Sequence, residues 1–178
     1  MEDVQDKKNI ACTRSFEKMH NDMFNLSERV STFAANLGEK LRKQNSHCNM
    51  ISVFLMSNHF RQDLQQHRVF INIKTEFPTN STLELNKLAQ MALKSIYKEG
   101  IYYKKAGVIV SALTPADNQQ LKFFGGESGK HIALMKAIDK TNKKVGVKLN
   151  LVRTIWEENG RCDKKNYHLA TQQDSMTY

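Results

Sequence analysis

The order of apolar and polar residues at the start of the chain predicts a strand followed by a helix. Residues 10–16 form a short β-prone run after a charged start. From Leu26 to Leu41, apolar residues recur at spacings of three and four, which is the period of an amphipathic helix. Asn25 and Glu28 form a capping-box pair, so we expect the helix to begin there.

The next residues predict three more strands and a second helix. Alternating apolar residues indicate paired strands over 50–56 and 69–74, and a β-prone run indicates a final strand over 102–112. Ahead of that last strand, Ser81 and Glu84 form another capping-box pair at the start of a helical pattern.

The resulting order, β-α-β-β-α-β, is the split βαβ or ferredoxin-like plan of an α+β fold. We expect a four-stranded antiparallel sheet with two helices on one face and the other face open. The open face would carry Arg14, Lys74 and one of Lys104 or Lys105, and would offer a cationic, partly apolar surface to a nucleic-acid backbone. The alternative is that these charges only keep the face soluble.

Residues 120–124 read Gln-Leu-Lys-Phe-Phe and lie between a loop-forming segment and two glycines. A buried strand rarely has such flanks, which indicates an exposed peptide that binds a partner. Leu121, Phe123 and Phe124 would fill an apolar pocket, while Gln120 would anchor one end through amide hydrogen bonds. The alternative is that the two phenylalanines fold back onto their own domain.

The rest of the chain predicts a small appendage and a tail. A helical pattern over 130–144 precedes a β-like run over 147–152, and the polar last residues are expected to be poorly ordered. The predicted divisions are a linker (1–8), a domain (9–116), a linker with the exposed peptide (117–128), an appendage (129–156) and a tail (157–178).

Length, charge and cysteines narrow the class of protein. A chain of 178 residues supports one ordinary domain, and a net charge of +9 favours a polyanionic partner. Cys12, Cys48 and Cys162 are odd in number and far apart, which argues against a disulfide framework and fits a reducing cytoplasm. We find no signal peptide and no run of about 20 apolar residues, so we expect no membrane partner.

We find no candidate catalytic or metal site in the sequence. The acidic residues are isolated, whereas two-metal chemistry needs carboxylates gathered at one place. Residues 125–130 read Gly-Gly-Glu-Ser-Gly-Lys, but Lys130 is followed by His131 rather than Ser or Thr, so the P-loop spacing is not met.

Several short runs together resemble one family, the Y-family translesion DNA polymerases of the bacterial polymerase V catalytic subunit (UmuC) type, in their C-terminal part. The runs are Lys8-Asn-Ile-Ala-Cys-Thr-Arg-Ser-Phe16, Glu39-Lys-Leu-Arg-Lys-Gln44, Ile51-Ser-Val-Phe54, Asn58-His-Phe60, Tyr103-Lys-Lys-Ala-Gly107 and Leu134-Met-Lys-Ala-Ile-Asp139. Each is weak alone, and together they are specific.

The resemblance implies that residues 9–116 form a little finger domain, which in this family grips template and primer strands through the same split βαβ plan. It implies damaged primer-template DNA as a partner and a role in DNA repair and the SOS response. The residues expected to contact DNA phosphates are Arg14, Arg61, Lys74, Lys104 and Lys105, with the hydroxyls of Thr13 and Ser15 adding hydrogen bonds.

The resemblance also implies that Gln120, Leu121, Phe123 and Phe124 form the peptide that binds the bacterial sliding clamp. Further partners implied by the family are the polymerase V accessory subunit and the recombinase filament. In the family the palm, with its Mg²⁺, dNTP and metal-binding carboxylates, lies upstream of the matching region. We therefore expect no cofactor in this chain and no DNA synthesis by it alone.

One departure from the family concerns the end of the chain, where Trp156 leads into residues 157–178 without the family's Ser-Pro-x-Tyr-Thr-Thr motif. The role of this tail stays open. The alternative function is a stand-alone ferredoxin-like module that binds nucleic acid or protein. An RNA-recognition sheet would carry aromatics in a Lys/Arg-Gly-Phe-type run, and none follows Tyr102 and Tyr103.

Overall fold

The computed structural model describes residues 8–115 and 129–145, with side chains in the second range described for residues 133–141. The elements are β1 (Ile10–His20), α1 (Met23–Lys43), β2 (Ser46–Ser57), β3 (Arg68–Thr79), α2 (Thr82–Ile96), β4 (Tyr103–Pro115) and α3 (Gly129–Val145). The predicted order β-α-β-β-α-β and the helix after it are confirmed.

The four strands form one antiparallel sheet in the order β1-β4-β2-β3. The two strands that flank α1 are separated by β4, as a split βαβ unit requires. The central positions belong to β4 and β2, a detail that the order of elements along the chain leaves open. The α+β class is therefore confirmed, and the spatial order is supplied by the structure.

Both α1 and α2 pack against the same face of the sheet and against each other. The core is mainly apolar, because inward positions of the helices meet alternate residues of the strands. The fully buried side chains include Leu26, Val30, Leu37, Leu41, Ile51, Val53, Leu55, Leu85, Leu93, Val108 and Val110.

The first helix begins earlier than the capping-box pair predicted. Its N-cap is Asp22, whose carboxylate accepts hydrogen bonds from the backbone N–H groups of Phe24 and Asn25 at 3.2 and 3.3 Å. The prediction that Asn25 starts the helix is therefore wrong, because an aspartate three residues earlier offers the same capping chemistry. Ser81 is the N-cap of α2 as expected, although its side chain makes no capping hydrogen bond.

The two helices approach closely at Gly38. A Cβ atom at this position would lie 2.6 Å from Thr82 Oγ1 and 3.3 Å from the Cα atom of Thr82. Glycine is therefore needed in the middle of α1 despite its low helix propensity, because it lets the end of α1 reach the start of α2.

No helix among the described residues offers the length of apolar sequence that a bilayer crossing needs.

Candidate nucleic-acid interface

One face of the sheet is left uncovered by α1 and α2, and we call it the open face. Residues paired across antiparallel strands share a face, so the register gives its members. Gly107 pairs with Thr13 on one side and with Phe54 on the other, and Phe54 pairs with Phe70. The open face consists of Ala11, Thr13, Ser15, Met50, Ser52, Phe54, Met56, Arg68, Phe70, Asn72, Lys74, Lys105, Gly107, Ile109 and Ser111.

The cations of the open face lie at the two ends of its strands. Lys105 and Arg68 share one row, since both pair with Met56, whereas Lys74 lies at the other end opposite Met50. None of the residues named above as members of this face is acidic. The paired positions of the face are therefore cationic at both ends, and the exposed carboxylate of Glu76 follows Lys74 by two residues in β3.

The sequence prediction placed Lys74 and one of Lys104 or Lys105 on this face correctly and missed Arg68. Thr13, Ser15, Lys74 and Lys105 all belong to it. Arg68 begins β3 one residue before the run in which we expected the strand to start. Extending the alternation of β3 backwards by one residue would have found it.

Of the residues predicted to lie on the open face, Arg14 is corrected by the structure, and the choice left open between Lys104 and Lys105 is decided in favour of Lys105. Arg14 pairs with the buried Ala106, so it is exposed on the side of β1 that the helices cover. Lys104 falls at an irregularity in the pairing of β4, and its Nζ donates to the carbonyl oxygen of Glu17 at 3.1 Å. Such an irregularity changes which side a residue faces, and it could not be predicted from the order of residues.

Arg61 lies in the loop between β2 and β3 and already has an anionic partner. Its Nε and Nη2 atoms donate to the two carboxylate oxygens of Asp63 at 2.8 and 2.7 Å. The hydrogen bond from Arg61 holds the pKa of Asp63 below its usual range, so the pair stays ionised and nearly neutral in sum. Arg61 is thus a weaker phosphate ligand than the sequence alone indicated.

The centre of the open face is apolar. The ring of Phe54 lies over Gly107, where a Cβ atom would be only 2.5 Å from Phe54 Cε1 and 2.6 Å from the methyl carbon of Thr13. Its cross-strand neighbour Phe70 is 47% exposed. Bare backbone at position 107 therefore lets an aromatic ring lie close against the sheet.

A buried hydrogen-bond network closes the base of the loop between β2 and β3. The hydroxyl of the fully buried Tyr103 accepts from the backbone N–H of Lys98 at 3.0 Å and lies 3.2 Å from Nδ1 of His67. Burial lowers the pKa of His67, and the charge of Lys98 lowers it further. Tyr103 therefore belongs to the core, and the surroundings of His67 favour the neutral form of its ring.

The lowered pKa of His67 predicts a loss of stability in mild acid. As the pH falls, His67 of the unfolded chain binds a proton before His67 of the folded chain does. The contribution of neutral His67 to the free energy of unfolding is therefore present above the usual pKa of histidine and is lost as the pH falls through that pKa. Urea unfolding at a series of pH values from about 8 to about 5.5 should show that the free energy of unfolding decreases as the pH falls. His67→Asn should flatten part of that slope, and an unchanged slope would contradict the assignment.

Arg42, near the end of α1, joins α3 to the domain. Its Nε and Nη2 atoms donate to both carboxylate oxygens of Asp139 at 2.6 and 2.7 Å. Its Nη1 atom donates to the carbonyl oxygen of Asn80 at 2.7 Å and to Thr82 Oγ1 at 3.0 Å. Met135 of α3 is buried as well, so α3 is docked near the start of α2.

Residues 7–123 match the model of the impB/mucB/samB family C-terminal domain. The chain belongs to this family. The resemblance to the C-terminal part of UmuC-type polymerases, predicted from short runs of the sequence, is confirmed.

Curated members of the family match at moderate identity. Protein UmuC from Salmonella typhimurium is 28% identical over 142 residues, which are 79% of this chain and 34% of that protein. Protein MucB from Escherichia coli is 32% identical over 143 residues, which are 78% of this chain and 33% of that protein. The chain thus spans about a third of the length of these relatives.

Two solved structures show distant similarity. One is the insertion ternary complex of Dbh DNA polymerase, with 13% identity, a TM-score of 0.44, and coverage of 58% of this chain and 28% of that chain. The other is the complex of beta-clamp processivity factor and little finger domain of PolIV, with 16% identity, a TM-score of 0.43, and coverage of 66% and 99%. Both TM-scores are under 0.5, so the family assignment rests on sequence.

Two further predictions from the sequence concern a clamp-binding peptide and metal sites. The residues predicted to bind the clamp, Gln120, Leu121, Phe123 and Phe124, lie outside the described residues. Within residues 8–115 and 129–145, no three His, Cys, Asp or Glu side chains are grouped as a metal site requires.

Proposed function

We propose that this chain is a DNA-binding and sliding-clamp-binding C-terminal region of an error-prone translesion DNA polymerase, acting in DNA repair and the SOS response. Membership of the impB/mucB/samB family supports the polymerase assignment. The proposed clamp peptide, residues 120–124, overlaps the end of the family match at residue 123. In this proposal the chain grips DNA in the cytoplasm and contributes no catalytic group.

The observation that carries the DNA-binding proposal is an open face with cations at both ends and no acid among its paired positions. Arg68 and Lys74 are six residues apart on one regular stretch of β3, so their Cα atoms are separated by about 20 Å. The major groove of B-DNA is about 12 Å wide. Lys105 and Arg68 at one end and Lys74 at the other can therefore reach phosphates on both edges of a groove.

Contacts of this kind carry little sequence information. Phosphates are alike beside normal and damaged bases, so a face that binds them tolerates lesions in the template. A few such contacts give weak, salt-dependent binding. A clamp tether would raise the effective concentration of DNA near the face and so supplement this weak binding.

The DNA-binding proposal is tested by neutralising the cationic row. Lys105→Gln with Arg68→Gln should reduce the log–log salt slope of blunt-duplex binding by about 1.8, since each lost phosphate contact removes about 0.9. Arg14→Gln with Lys87→Gln is the matched control, because it removes the same charge from the side of the domain that carries the helices.

Fluorescence titrations of labelled duplex across a salt series measure this slope. The control pair should keep the wild-type slope. An equal loss in both variants, or no duplex binding by the wild type at low salt, would contradict a DNA grip on the open face.

A stand-alone module that binds RNA or protein is the second candidate. It is favoured by the cross-strand pair of the half-buried Phe54 and the exposed Phe70, because aromatic residues on an open sheet stack on unpaired bases or fill protein pockets. Single-stranded RNA that displaces duplex DNA, through a site removed by Phe70→Ala, would favour this second function.

A further inference from the structure

The side chain of Gln66 makes several of the hydrogen bonds within the loop between β2 and β3. The Nε2 atom of Gln66 lies within hydrogen-bond distance of three backbone carbonyl oxygens, those of Asn58, Arg61 and Leu64, at 3.1, 2.8 and 3.1 Å. Its Oε1 atom accepts from the hydroxyl of Ser57 at 3.1 Å. The loop is therefore preorganised by internal hydrogen bonds.

This ordered loop presents an aromatic pair to solvent. Phe60 is 82% exposed, and its ring lies against His59 with the centroids 3.8 Å apart and the planes inclined by 38°. The backbone N–H of Phe60 donates to Asn58 Oδ1 at 3.2 Å, which fixes the backbone that carries the ring. A flat apolar surface is thus displayed without the entropy cost of ordering a flexible loop on binding.

The surroundings of the ring favour a nucleobase over a phosphate. The charges of Arg61 and Asp63 offset each other, so the tip of the loop is nearly neutral. The loop begins directly after the cross-strand pair of Met56 and Arg68, and Lys105 is the other neighbour of Met56. A strand whose phosphates are held by Arg68 and Lys105 would pass beside the aromatic pair.

We propose that His59 and Phe60 form a stacking site for an unpaired base in the single-stranded extension of DNA bound on the open face. The inference rests on the proposed DNA-binding function and adds a class of substrate to it, namely the unpaired template beyond a duplex end. Stacking suits this substrate, because every base, damaged or not, offers a π face.

The test compares three ligands that share one duplex: a blunt end, an extension with normal bases, and an extension of abasic residues with the same number of phosphates. The wild type should bind the base-containing extension about tenfold more tightly than the abasic one. Phe60→Ala should remove this preference and leave blunt-duplex affinity unchanged, whereas Phe60→Trp should restore it.

Two further variants separate stacking from a general structural role. Phe24→Ala removes another exposed ring, 72% exposed at the start of α1, and should keep the preference for bases. Gln66→Ala retains the aromatic pair but loosens the loop, so it should reduce the preference only in part. This intermediate result would identify Gln66 as a positioning residue.

The outcomes also distinguish this inference from the function on which it rests. Blunt-duplex binding without any preference for bases over abasic residues would overturn the stacking site and leave the DNA grip intact. A preference that survives Phe60→Ala would overturn it as well. Absence of duplex binding by the wild type would overturn the proposed function itself, and the stacking site with it.

Discussion

Arg42→Ala is expected to lower the free energy of unfolding by about 2 kcal/mol and to release α3 from the domain. The substitution leaves the carboxylate of Asp139 without its two strongest hydrogen bonds and the carbonyl of Asn80 without a partner that Arg42 supplied. The side chains of Arg42 and Asp139 are 14% and 29% exposed. The loss of stability should therefore lie between that caused by breaking an exposed ion pair and that caused by breaking a fully buried one.

Two measurements check this expectation: urea unfolding for stability, and hydrogen exchange of the backbone amides of residues 129–145 for docking. Asp139→Ala should release α3 equally but cost less stability, because Arg42 keeps its bonds to Asn80 and Thr82. Lys43→Ala is the control, since its ion pair with Glu39 lies at the surface. Unchanged exchange in α3 after Arg42→Ala would contradict the docking role.

The second large effect is expected at the proposed clamp peptide. Replacing both Phe123 and Phe124 by alanine should abolish detectable binding of the bacterial sliding clamp and leave DNA affinity unchanged. A short peptide of this kind binds at about micromolar level. Loss of two buried rings removes about 4 kcal/mol, which weakens the complex several-hundred-fold.

Fluorescence titration with purified clamp measures the first half of this prediction, and the salt series described above measures the second. Phe24→Ala is the matched control, because it removes an exposed aromatic ring elsewhere on the same chain. Clamp binding that survives the double substitution would mean that the two rings pack on their own domain. Equal loss of clamp and DNA binding would contradict separate roles for the peptide and the sheet.

Periodicity was sufficient to predict the order of elements and the core, because inward positions must be apolar whatever their partners are. It was less reliable for the open face. Alternation assigns residues to two sides of a strand, and only the pairing shows which side the helices cover. Arg14 was misassigned for this reason. The choice between Lys104 and Lys105 was left open, because a local irregularity in pairing leaves no mark in composition.

Long-range contacts could not be predicted from the sequence, for a different reason. Arg42 and Asp139 are 97 residues apart, and neither lies in a pattern that points to the other. The same holds for Gln66, whose hydrogen bonds depend on the path of a loop rather than on any periodic signal. Specific side-chain geometry at such places follows from the assembled fold.

The ring of Phe54 above Gly107 has a consequence for spectroscopy. The Hα atom of Gly107 that a Cβ would replace points at the edge atoms of this ring, since the built Cβ lies 2.5 Å from Cε1 and 2.7 Å from Cζ. That proton therefore lies within the ring current of Phe54, and its chemical shift depends on where the ring rests. A ligand that moves the ring would change this one resonance, so the open face contains its own NMR reporter of occupancy.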